Sequence, residues 1–140
     1  MSVYVDNREV ALGRRIGKGG EGEVFLATTQ SGLAVKLYTV KDKASRERKI
    51  VAMIRAGLAT KSPLTAFPIS LVRQKTGEFA GFTMRLVPEH LPLHDLYAPG
   101  SRKQKFPQAD FRFLVRTASN VARAVASVHH AGCGWRFARI

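Results

Sequence analysis

The sequence predicts an α+β fold in which five antiparallel strands and one helix are followed by further helices. Three observations predict it. Apolar runs broken by glycine-bearing turns occupy residues 12–38 and 69–86. Residues 44–56 instead repeat their apolar positions at helical spacing. Beyond Pro107 the apolar stripe Leu114, Ala118, Val121, Val125 and Val128 runs to Gly132, the pattern of a long amphipathic helix that packs on a neighbour.

The elements follow in order. Residues 12–16 read as a first strand entering the turn Gly17-Lys18-Gly19-Gly20-Glu21-Gly22. Residues 23–28 form a second strand, Thr29-Gln30-Ser31-Gly32 a turn, and residues 33–38 a third strand. A charged stretch then leads into the helix at 44–56, which Gly57 ends. Its apolar positions are Ile50, Met53 and Ile54, continued by Leu58, and Glu47 falls on that same inward face. Pro63 and Pro68 mark a connector. Residues 69–73 and 79–86 read as two strands joined through Gln74-Lys75-Thr76-Gly77-Glu78. His90 and His94 flank a short apolar segment, and without a third ligand they read as ordinary polar residues.

The chemistry lies near the amino terminus. Gly17-Lys18-Gly19-Gly20-Glu21-Gly22-Glu23-Val24 is a Gly-x-Gly-x-x-Gly-x-Val turn, and Leu33-Ala34-Val35-Lys36 places a single lysine on the next strand. Glycines there can take positive φ and let amide donors approach a polyphosphate, and a lysine adds a point charge. A dinucleotide fold would put a strand before the glycines and a helix after them, but a strand follows here. A Walker-type loop is excluded because no Gly-Lys-Ser/Thr occurs.

This arrangement resembles the amino-terminal lobe of protein kinases, in the bacterial serine/threonine style, over about residues 10 to 132. The resemblance implies a nucleotide-binding lobe over residues 1–88, the start of a helical second lobe over 89–132, and an atypical tail over 133–140. It implies an ATP site formed by Ile16, Gly17, Lys18, Gly19, Gly20, Glu21, Gly22, Val24, Ala34, Lys36, Met84 and Val87. In that site Met84 gates the adenine pocket, residues 85–88 form the hinge, and Val87 supplies a backbone donor. Glu47, the sole glutamate between Lys36 and Glu78, would orient Lys36. Two bland readings stand beside these: Met84 as a core methionine, and Glu47 as a solvated balance to Arg46, Arg48 and Lys49.

The family's catalytic aspartate, its magnesium-holding asparagine and its Asp-Phe-Gly are missing, since the last acidic residue is Asp110 and the last asparagine is Asn120. The ligands for the family's Mg are thus absent. The expectation is an ATP-binding portion of a kinase, truncated before its catalytic loop and inactive as this chain. Its partners would be nucleotide and either a protein substrate or the missing lobe. Glu21 departs from the family at the loop tip, and with Glu23 it would repel a triphosphate unless turned outward. The rival readings are a non-catalytic regulatory module that binds nucleotide or a partner, and a basic nucleic-acid-binding protein.

The net charge of +13, from 23 Lys and Arg against 10 Asp and Glu, keeps the nucleic-acid reading in view. No zinc spacing or aromatic RNA-binding motif accompanies it, which favours a plain basic surface. A single cysteine, Cys133, excludes an intrachain disulfide and suits a reducing compartment. With no apolar signal core and no membrane-length apolar run, the expected location is cytoplasmic and away from the membrane.

Overall fold

The computed structural model describes residues 1–132, and the expected atypical tail, 133–140, lies outside the described residues. Six strands, β1 (Ser2–Val5), β2 (Arg8–Lys18), β3 (Gly22–Ala27), β4 (Leu33–Tyr38), β5 (Ser70–Arg73) and β6 (Phe79–Arg85), close into an antiparallel barrel. Around the barrel they run β1-β2-β3-β4-β6-β5, and the pairing of Tyr4 with Arg73 joins the last strand to the first. The expected kinase-lobe sheet of five strands with one helix is therefore incorrect.

The strand that the expectation lacked is β1. Asp6 and Asn7 both take positive φ, 48° and 63°, the geometry of a two-residue turn whose twist matches a hairpin. That turn sets Val5 opposite Arg8 and Val3 opposite Val10. Val3, Val5 and Val10 are buried in one cluster with Ala27, Val35, Leu37, Val72 and Ala80. Closing the barrel gives the inward side chains of β1 a core to enter and leaves fewer open edges.

Among the described residues the helices are α1 (Lys43–Arg55), α2 (Leu58–Lys61), α3 (Leu93–Tyr97), α4 (Pro99–Lys105) and α5 (Phe111–His130). Asp42 caps α1 by accepting a hydrogen bond from Ser45 N at 3.2 Å. Gly57, at φ +67°, turns the chain from α1 into α2, a conformation that a residue with a Cβ adopts only under strain. A second cluster of Tyr38, Ile50, Phe79 and Phe82, flanked by Met53, Ile54, Leu71 and Met84, docks α1 on the barrel. Asp110 caps α5 by accepting from Phe113 N at 2.8 Å. The Ser62 and Ser127 hydroxyls, 2.6 Å apart, tie the end of α2 to α5. The expected stripe on α5 is split, with Leu114 and Val128 half-buried and Ala118, Val121 and Val125 exposed.

Candidate functional site

Strand register assembles the site. Val24 on β3 lies opposite Gly17 on β2 and Lys36 on β4, and Lys36 lies opposite Phe82 on β6. Two residues along β4, Ala34 lies opposite Met84. Because side chains alternate with period two, Ala34 and Lys36 share a face with their cross-strand partners. Register shifts in β2 between Leu12 and Arg15 and between Arg15 and Gly17 bend that strand as it enters the glycine turn.

Two adjoining cavities open on this face. One, of about 280 Å³, is lined by Ile16, Gly17, Val24, Ala34, Ala66, Met84, residues 85–87 and His90. The other, of about 560 Å³, is lined by residues 17–22, Val24, Lys36, Ala66, Phe82 and Met84. They share Gly17, Val24, Ala66 and Met84, so they form one groove with an apolar end and a glycine-rich, cationic end. All twelve residues that the sequence assigns to an ATP site line this groove. Ala66, Phe82 and His90 line it too, outside the residues assigned to the site or the hinge. Ala66 carries no signal in a proline-marked connector. His90 could have been found by its position just after the expected hinge.

The glycines behave differently from expectation. None of Gly17, Gly19, Gly20 and Gly22 takes positive φ. The turn is closed by Gly19 N donating to Gly22 O at 2.9 Å. A Cβ on Gly22 would sit 2.1 Å from Leu37 O, whereas one on Gly19 or Gly20 would meet nothing within 4 Å. Gly22 is thus required by strand packing. Gly19 and Gly20 leave the floor of the groove open.

Lys36 Nζ lies 5.3 Å from the Tyr38 ring centroid and 5.9 Å from that of Phe82, within range of cation–π attraction. Glu47, expected beside it, is paired elsewhere. Glu47 Oε1 accepts from Arg73 Nη2 at 2.6 Å, and Arg73 Nη1 also donates to Gly77 O at 3.1 Å. A guanidinium with several fixed donors can serve both acceptors at once, which an ammonium on β4 does not match. Glu21 and Glu23 are likewise engaged, by Arg46 at 2.5 Å and Arg15 at 2.6 Å. The Tyr38 hydroxyl is held above the usual tyrosine pKa, first by burial and then by the Glu21 carboxylate, with Arg46 opposing.

At the apolar end Leu86 N donates to Gly32 O at 2.8 Å, which fixes the segment after β6. His90 Nδ1 lies 2.8 Å from Val87 O, a contact that needs the proton on Nδ1. Beyond it Asp95, buried, accepts from Lys105 Nζ at 2.7 Å and lies 3.6 Å from His94 Nε2. His94 therefore faces a carboxylate and not a second histidine ligand.

Among the described residues no group of three or more His, Cys, Asp or Glu could hold a metal ion. Among the described residues the one acidic side chain lining the groove is Glu21, and Arg46 occupies it. The residues present do not fit a magnesium site. No helix among the described residues is long and apolar enough to cross a membrane.

Comparison with known proteins gives two curated relatives, both named Protein kinase YegI. The one from Escherichia coli strain K12 is 33% identical over 134 residues, covering 94% of this chain and 21% of the relative. The one from Escherichia coli O157:H7 is 32% identical over 124 residues, covering 88% of this chain and 19% of the relative. The chain spans about a fifth of the length of the curated relatives it matches. No family model and no solved structure matches. Along nearly all of its length the chain is thus similar to part of a protein named as a kinase.

Proposed function

We propose that this chain is the ATP-binding portion of a serine/threonine protein kinase-like protein, whose parent activity is phosphoryl transfer from ATP to protein hydroxyls. In this reading residues 1–88 bind the nucleotide and residues 89–132 begin a helical unit beyond the hinge. The observation that carries it is the continuity of the groove. Ile16, Val24, Ala34 and Met84 line an apolar slot suited to a purine, and the slot runs into the open turn at Gly19 and Gly20 beside Lys36. A flat apolar base and a polyphosphate need that pair of environments at adjoining positions. The similarity to proteins named as kinases supports the same reading.

Each end has its role. The residue 85–87 backbone would meet the base edge, and the turn amides would face phosphate oxygens. Lys36 would leave the ring faces of Tyr38 and Phe82 for the α and β phosphates, exchanging a cation–π contact for a stronger charge-assisted hydrogen bond. Calorimetric titration with an ATP analogue tests this. The chain should bind, and Lys36→Ala should lose about 1.5–3 kcal/mol of binding energy with its fold unchanged. Absence of binding by the unaltered chain, or equal affinity of Lys36→Ala, would overturn the reading.

A further inference from the structure

We infer that Arg46 is a positioning residue for the polyphosphate end of the groove: by holding the Glu21 carboxylate it clamps the glycine turn to α1 and neutralises the one negative side chain a phosphate would meet there. The inference rests on the nucleotide reading above and adds to it a residue outside the expected site.

Glu21 sits at the tip of the turn and lines the groove beside Gly20, Gly22 and Lys36. An uncompensated carboxylate there would oppose every added phosphate charge. Arg46 Nη2 binds Glu21 Oε1 at 2.5 Å across 25 residues of sequence. Thr39 N donates to Glu21 O at 3.0 Å, so both backbone and side chain of the tip residue are held. The pair is partly solvated, at 32% and 52% side-chain exposure, and such pairs add little to global stability. Its consequence is therefore local, in where the turn sits and what charge it presents. Arg46 Nε is buried without a partner, so the guanidinium's paired contact here is the one from Nη2 to Glu21. Tyr38 lies close enough to feel both charges and also carries Lys36 Nζ over its ring.

The test is the affinity of the chain for AMP, ADP and ATP, measured for the unaltered protein, Arg46→Gln, Glu21→Gln and the double variant. Arg46→Gln should weaken ATP by about three- to tenfold, ADP less and AMP little, because the exposed Glu21 charge acts on phosphates and not on the base. Glu21→Gln in the Arg46→Gln background should recover most of the loss, and Arg46→Lys should keep part of the binding. Melting of each variant shows that it is folded. Equal weakening of AMP and ATP by Arg46→Gln, or no recovery in the double variant, overturns the clamp while leaving the nucleotide reading in place. No binding by the unaltered chain overturns both.

Discussion

Gly20 and Gly22 stand two residues apart in one turn under different constraints. A methyl group on Gly22 would penetrate the backbone of β4 at Leu37 O, and backbone cannot move aside as a flexible side chain can. Gly22→Ala should therefore cost about 1–3 kcal/mol or more of stability through overpacking, seen as a lowered melting temperature. Gly20 has open space around it and no positive φ, so Gly20→Ala should melt within about 0.5 kcal/mol of the unaltered chain. Its methyl would project into the phosphate end of the groove and should weaken ATP-analogue binding. A Gly20→Ala variant that loses stability but not affinity would contradict this division. The glycine spacing was legible in the sequence, but which glycine answers to packing was not, because that depends on how closely β3 approaches β4. The partner of Glu47 was hidden for a similar reason. Its inward position on α1 is a matter of helical spacing, while Arg73 reaches it only because β5 is next to the barrel seam.

At the scale of elements, β1 decides whether the strands form a sheet or a barrel. Its buried residues are Val3 and Val5, at 2% and 7% exposure, and it meets β5 at a single register pair. The closure is thus held by side-chain burial more than by ladder length. Val3→Ala should cost about 1–3 kcal/mol from lost burial and the cavity left behind. Ser2→Ala, on the exposed face, should stay within about 0.5 kcal/mol, and thermal melts of the pair check the contrast. Indistinguishable melts would mean that β1 is not part of the cooperative unit. The five other strands were readable because each is bounded by glycine, proline or a charged turn. The four-residue β1 offers one alternation only, though Asp6-Asn7 between Val5 and Arg8 was a usable hairpin signal. The short helices α2, α3 and α4 carry too few turns for a period to show. On α5 the spacing gave the helix but not its contacts. It has no buried residue, and Phe111 and Val115 are 79% and 51% exposed.

For the whole molecule, what matters is where its negative charge lies. Of the ten acidic residues, Asp42 and Asp110 cap helices, and Glu21, Glu23, Glu47 and Asp95 are held by cations. Asp6, Glu9, Glu78 and Glu89 line neither part of the groove. Phosphoryl transfer works mainly by positioning the nucleophile and neutralising the developing charge with metal, so it needs free carboxylates at the phosphate end. A polypeptide of these 140 residues should therefore bind nucleotide without transferring phosphate. Arginine cannot replace the missing base, because it stays protonated at neutral pH. His129 and His130 lie at the far end of α5 from Asp110, about 30 Å along a 20-residue helix, and no carboxylate accompanies them in that last turn. Radiolabelled ATP with magnesium and a generic protein substrate decides the matter. Label transfer should not exceed that of a Lys36→Ala control, and transfer above it would require a base and a metal ligand set that the described residues do not bring together.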